Sequence, residues 1–242
     1  VLRVPAIQGV IERRVLVNFR IDPEAMAAKL PAPFRPKLVG GYAIGGICLI
    51  RLAEIRPVAV PLPCGLSSEN AAHRIAVEWD TPEGVQEGVY IPRRDTDSLL
   101  NSLVGGRLFP GVHHHARFVC EESPERYSIE MQADDGSARI KVRGVPAEAL
   151  PEGSVFEDLA AASRFFELGS LGYSETATPG EYDGLELRCE GWAVEPLAVE
   201  EVESSYFSEG FSPDQVAFDN ALLMRDIQHE WHSRKSLCAT PN

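Results

Sequence analysis

The chain has 242 residues, 44% of them hydrophobic and 24% charged, with a formal net charge of −13. Residues 1–150 hold 18 acidic and 18 basic side chains and residues 151–242 hold 18 acidic and 5 basic, so the whole excess sits in the last third. Such a surface repels nucleic acid and anionic lipid, which excludes both as partners, and the length suits one domain, 1–242, with a sizeable core.

No apolar run reaches the ~20 residues of a spanning helix. The longest, Tyr42 to Leu52, is broken by Gly45, Gly46 and Arg51. Val1 to Pro5 shows no secretory pattern. Five cysteines, Cys48, Cys64, Cys120, Cys189 and Cys238, form no C-x-x-C pair. Together these predict a cytoplasmic protein whose cysteines, Cys238 apart, serve as small buried residues.

Arg13 to Arg20 reads as a strand. Asp22 followed by Pro23 starts a short helix to about Leu30. Tyr42 to Leu52 is a buried strand in which Gly45-Gly46 marks a bulge or a close backbone approach. Ser68 to Trp79 and Val85 to Pro92 form a hairpin across Thr81-Pro82-Glu83-Gly84. Asp97 caps a short helix through Leu103, which Gly105-Gly106 ends. His113 to Cys120, Tyr127 to Gln132 and Ala138 to Arg143 form a meander. Val155 to Leu168 is an amphipathic helix. Leu185 to Pro196 and Val199 to Phe207 are extended. Ser212-Pro213-Asp214-Gln215 opens a final helix to about Trp231. This order predicts an α+β fold whose largely antiparallel sheet curls or closes.

Phosphate loops, dinucleotide fingerprints, nucleophile elbows and H-E-x-x-H zinc helices are absent from the sequence, and no cofactor is expected. His229-Glu230-Trp231-His232 has the wrong spacing for zinc and reads as a surface helix. Three of the six histidines stand together as His113-His114-His115. On a strand, His113 and His115 face one way and His114 the other. They are either wet-face residues or acid, base and ligand groups in a cavity. Glu69, at the mouth of a strand, is either a surface carboxylate or a proton shuttle. Arg13-Arg14 is either an exposed strand end or a carboxylate clamp. Among the four lysines, Lys141 lies with Arg139 and Arg143 on a solvated strand face.

Three segments carry a resemblance: RVLVNFRIDPEAMAAKLPAPFRP (Arg14 to Pro36), GLSSENAAHRIAVEW (Gly65 to Trp79) and GVYIPRRDTDSLLNSLVGGRLFPGVHHHARF (Gly88 to Phe118). Together they resemble the acetoacetate decarboxylase-like superfamily and, more closely, its DUF2071 or YqjF-like branch. The resemblance implies a curled antiparallel sheet forming a cone or barrel, short peripheral helices and an internal cavity. It places Glu69 on the decarboxylases' active-site Glu and Arg13 or Arg14 near their substrate-carboxylate Arg. It also places His113-His114-His115 on the stretch that supplies their Schiff-base lysine. Imidazole cannot form an imine, so Schiff-base decarboxylation is not expected there.

The resulting expectation is a lyase- or isomerase-like enzyme acting on a small oxygenated or carboxylated molecule. Glu69 and His114 would be catalytic. Arg13, Arg14, Arg107, His113, His115 and His73 would bind substrate. A homo-oligomer without a metal is expected. The alternatives are a non-catalytic binding or sensing protein, and a metalloprotein using His113, His115, His73 and a carboxylate.

Overall fold

In the computed structural model, which describes residues 6–58, 65–98, 111–176 and 178–238, strand β1 (Ile7–Ile21) runs antiparallel between β4 (Tyr42–Pro57) and β13 (Val216–Cys238). Two short strands, β2 (Arg35–Pro36) and β3 (Leu38–Val39), precede β4. Next to β4 lies β5 (Leu66–Thr81), which turns into β6 (Gly84–Thr96). Thr81 Oγ1 donates to the Gly84 carbonyl at 2.8 Å, and Gly84 takes a φ of 120°, which suits glycine. The expected hairpin and meander are both present, the meander as β7 (His113–Ser123), β8 (Arg126–Ala133) and β9 (Arg139–Pro146). The chain continues through β10 (Leu171–Glu175), β11 (Glu181–Cys189) and β12 (Glu195–Ser204).

The described strands form one 13-stranded sheet that curls back on itself in two circuits. The smaller runs β6-β5-β4-β1-β13-β11-β10 and returns to β6. The larger leaves β6 through β7, β8, β9 and β12 and rejoins at β13. Most pairings are antiparallel, as expected. Two short ones are parallel: β6 with β7 over Arg94 to Thr96, and β6 with β10 at Val89 and Tyr90.

Both circuits share β13, β1, β4, β5 and β6, and the first four of these are buried on both faces over most of the shared stretch. Alternate residues enter separate cores. Val15, Val17, Leu49, Ala71, Ile75 and Leu223 join one core with residues of β8 and β9. Leu16, Cys48, Ile50, Ala76, Leu222 and Met224 join the other with Leu187 and Phe166. Double burial explains the near-continuous apolar runs in these segments.

Among the described residues, three short helices decorate the sheet: α1 (Pro23–Ala27), α2 (Leu159–Leu168) and α3 (Ser205–Gly210). Asp22 caps α1 as expected, accepting from the Ala25 N–H at 2.8 Å. The helix expected from Val155 starts only at Leu159. The Val155 N–H and Ser154 hydroxyl bind Asp219 at 2.9 and 2.7 Å, which holds that segment out of a helix, and Asp158 caps Ala161. The stretch expected to be extended through Phe207 turns helical at Ser205.

The expected final helix is instead the 23-residue strand β13. Capping-like bonds do form between Ser212 and Gln215, but they close a single turn. From Val216 onward the backbone pairs with Ile21 and its neighbours. Ala221 to Met224 reads equally as buried helix or doubly buried strand, and tertiary pairing decides. The helix expected from Asp97 to Leu103 falls, beyond Ser98, outside the described residues, as do Gly105-Gly106, Cys64 and Arg107.

Gly45-Gly46 is a close approach. A Cβ on Gly46 would press into the Val17 carbonyl oxygen and stand 3.1 Å from Asn18 Oδ1. Because that obstacle is backbone, Gly46→Ala is predicted to lose about 1–3 kcal/mol, read as a lower urea midpoint at unchanged slope.

Candidate functional site

Consecutive residues on the doubly buried strands face different surroundings, and this sorts the candidate residues. On β1, Arg13 faces one core and Arg14 the other. Arg13 is 2% exposed and binds Glu69, with Glu122 3.0 Å from its Nε. Arg51 donates to Glu69 at 2.5 Å and to Glu122 at 3.0 Å. Two guanidiniums and two carboxylates, from β1, β4, β5 and β7, thus neutralise each other. Cys120 lies beside them, its thiol pushed up to about 11 by burial and by the Glu69 charge.

Glu69, Cys120 and Glu122 are, among the described residues, the one group of three potential metal ligands within 4.8 Å of one another. Arg13 and Arg51 already occupy its carboxylates. No histidine belongs to it, so the structure does not assemble the metal set weighed from sequence.

On the opposite face lies a cavity of about 120 Å³, lined from every strand of the smaller circuit. Its walls are largely apolar: Leu16, Ile50 and Leu52, then Val89, Ile91, Leu185 and Leu187, with Trp231 and Phe166. Three arginines, Arg14, Arg74 and Arg94, also line it. Arg14 Nε donates to Cys48 Sγ at 3.3 Å, and its guanidinium lies 5.6 Å from the Trp192 ring. Arg74 donates to Asn18 Oδ1 and stacks 4.6 Å above the Phe166 ring. Arg94 Nε donates to Ser174 Oγ at 3.3 Å. Among the described residues none of the three has a carboxylate within ion-pair distance. Residues 59–64 and 99–110 contain neither Asp nor Glu.

Burial lowers the Arg74 and Arg94 pKa values to about 10, so both stay charged at neutral pH. A low-dielectric pocket with three uncompensated cations attracts an anion strongly.

The histidines separate in the same way. Ala72, Arg94 and His113 form one cross-strand row, and all three line the cavity. Ala71, Asp95 and His114 form the next row; Ala71 and Asp95 still border the cavity, and Arg93 holds the Asp95 carboxylate at 2.6 Å. His114 leans on Asp135 at 3.5 Å with 36% of its side chain exposed, and it is not part of the cavity wall. Glu69 is not part of that wall either. It stands on β5, two strands from His114 on β7, roughly 10 Å at sheet spacing. The two expected catalytic groups therefore do not share this cavity.

His115 Nδ1 sits 2.7 Å from Asp134 Oδ2 at the surface. His73 is fully buried against Tyr206, with ring centroids 4.7 Å apart, on the core face away from the cavity. His229, expected on a surface helix, is buried on β13 against Trp231 because that segment is a strand.

Sequence reading missed Arg74, Arg94 and Cys48. The signal for Arg74 was present: a lone charge at an apolar position, between Ala72 and Ala76 on one strand face. Lys141 pairs with Glu201 at 2.8 Å, outside the cavity.

Two predictions follow from these environments. Breaking a buried ion pair by removing one partner leaves a charge uncompensated, so Glu69→Gln should cost about 3 kcal/mol of folding stability. Urea melts of the variant check this, and an unchanged midpoint would show that Glu69 is not holding Arg13. The second concerns acid. Burial first, and neighbouring arginines second, lower His73 to about 3 and His113 and His229 to about 4. These groups stay neutral when folded but protonate near 6.5 when unfolded. Stability should therefore fall as pH drops from about 6.5 toward 4, by about 1.4 kcal/mol per pH unit for each histidine. Urea midpoints at pH 7.5, 6 and 5 would show it, and a flat profile would contradict it.

Similar solved structures include acetoacetate decarboxylase from Legionella pneumophila subsp. pneumophila str. Philadelphia 1, with a TM-score of 0.65 at 8% identity over 98% of this chain and 88% of that one. MppR, an enduracididine biosynthesis enzyme solved in complex with pyruvate, gives 0.60 at 11% identity over 99% and 92%. An acetoacetate decarboxylase-like enzyme from Sphingomonas wittichii RW1 gives 0.60 at 13% identity over 99% and 94%. At such identities the likeness shows the fold, which is acetoacetate decarboxylase-like. No curated protein sequence matches the chain. The sequence matches DUF2071, described as an uncharacterized conserved protein, over residues 10–216, and the chain therefore belongs to the DUF2071 family.

Proposed function

We propose that this protein binds a small carboxylic acid in the arginine cavity and uses His113 for proton transfer beside it. The observation that carries the reading is the convergence of Arg14, Arg74 and Arg94, without carboxylate partners among the described residues, on an apolar-walled cavity. Its volume is of the order of a ~150 Å³ cavity that takes benzene, a molecule of about six non-hydrogen atoms. Pyruvate has as many. The pyruvate complex of MppR, a protein of the same fold, supports this ligand class.

Arg14 and Arg74 would take the carboxylate, and the apolar walls would take the carbon chain. His113 is neutral at pH 7 because burial and Arg94 oppose its protonation. A neutral imidazole can accept a proton from a carbon next to a carbonyl. Arg94 would then face the oxyanion that develops.

An imine route would need an amine. All four lysines lie in described residues, and none lines the cavity. A binding or sensing role without turnover is the second reading. It is favoured by Glu69 being held in ion pairs and His114 standing outside the cavity.

Titration calorimetry with pyruvate, acetoacetate and uncharged acetone tests the binding. The acids should bind and acetone should not. Arg14→Gln and Arg74→Gln, each removing a charge-assisted hydrogen bond, should weaken binding by about 10- to 100-fold. Equal binding of acetone, or no acid binding to the wild-type chain, would overturn the reading. Proton exchange at pyruvate C3 in D2O, lost in His113→Ala with binding retained, would separate the enzyme from the binder.

A further inference from the structure

Cys48 occupies an unusual place in this cavity. Its Sγ accepts from Arg14 Nε at 3.3 Å, and Arg74 and Arg94 line the same cavity. A second observation is independent of the sulfur. Arg74 is 5% exposed, lines the cavity, and has an Nε with no hydrogen-bond partner among the described residues. A buried donor left open in a cavity wall points to an acceptor that arrives from outside the chain. An anion bridging Arg14 and Arg74 would thus sit beside the thiol.

The other described cysteines differ. Cys120 lies among Glu69 and Glu122, which repel anions, and burial pushes the Cys189 thiol up. Cys238 is exposed.

We propose that Cys48 is a covalent modification site for small carboxylic acids bearing an electrophilic carbon next to the carboxylate. This rests on the carboxylate reading of the cavity. The guanidiniums hold the acid group, which places its neighbouring carbon against Sγ and raises the local concentration of the electrophile. With a 2-halo acid, the Cys48 thiol gives its proton to solvent, sulfur attacks the halogen-bearing carbon, the C–S bond forms and halide leaves.

The test uses the full native chain and two alkylators that differ in charge, iodoacetate and iodoacetamide. Labelling rates are read cysteine by cysteine from peptide mass spectra. The iodoacetate-to-iodoacetamide rate ratio at Cys48 should exceed that at Cys238 by about tenfold or more, because only the acid is held by the arginines. Pyruvate should slow iodoacetate at Cys48 and leave Cys238 unchanged. Cys48→Ser should still bind pyruvate by calorimetry while losing the acid-selective label.

If pyruvate binds but Cys48 labels with the Cys238 ratio, or only after denaturation, the Cys48 proposal fails and the cavity reading stands. If no acid binds and no selectivity is seen, both fail.

Discussion

Alternation along four doubly buried strands, reset at a few bulges, is the constraint on which the rest of the structure depends. A β-strand sends successive side chains to opposite faces. In most sheets of this kind one of those faces is solvent. Here β13, β1, β4 and β5 have a packed core on each side, so neighbours in sequence live in different chemical worlds. Arg13 joins a neutralised cluster of two arginines and two glutamates, while Arg14 enters a cavity without a carboxylate partner. A register slip of one residue would exchange them. The pairing of β1 with β13 on one side and β4 on the other fixes that register.

Three cations without carboxylate partners, Arg74 buried and Arg14 and Arg94 half-buried, are costly to desolvate, and the surroundings show how that cost is reduced. Arg14 has Cys48 Sγ, Met224 Sδ at 3.8 Å and the Trp192 ring; Arg74 has Asn18 and the Phe166 face. Sulfur, amide oxygen and aromatic faces are weak partners for a guanidinium. They hold it in place without cancelling its charge. Asn18 is itself fixed, donating to Asn220 Oδ1 at 2.7 Å, so the Arg74 support is rigid. A carboxylate in any of these positions would have satisfied the arginine and removed the positive field. The glutamates that could do so face the other side of the sheet.

Much of this was legible in the sequence. The hairpin across Thr81 to Gly84, the α1 cap at Asp22 and the meander after His113 all follow from local turn and cap chemistry, which the folded chain leaves intact. The last strand was not legible as a strand. Ser212 to Gln215 carries a helix-start signal, and Ala221 to Met224 has no alternation, because both of its faces are buried. The site was legible only in part. Resemblance drew attention to Glu69 and the histidine run, but alternation then sent Glu69 and His114 to one face and His113 to the other. Arg74 and Cys48 went unread because a lone charge among apolar strand residues does not by itself reveal a cavity, and a lone cysteine suggests packing. Only the closed circuit of strands shows that both face one cavity.

Where the sequence resemblance sets the decarboxylases' lysine pair, this stretch carries histidines, and on the proposed reading that changes the electrostatic logic of the site rather than removing it. An amine among cations is useful because desolvation and repulsion keep part of it neutral. The same two forces act on His113, where burial dominates and Arg94 adds to it. An imidazole starts from a much lower pKa than an amine, so forces of this kind leave it wholly neutral at physiological pH. On the proposed reading, an anion seated beside Arg94 offsets the repulsion that keeps His113 neutral. Ligand binding and proton affinity at His113 then reinforce each other, as any two linked equilibria must. On that reading the field that would select an acid is also the field that would prepare the base, and both would derive from arginines that pair with no carboxylate among the described residues.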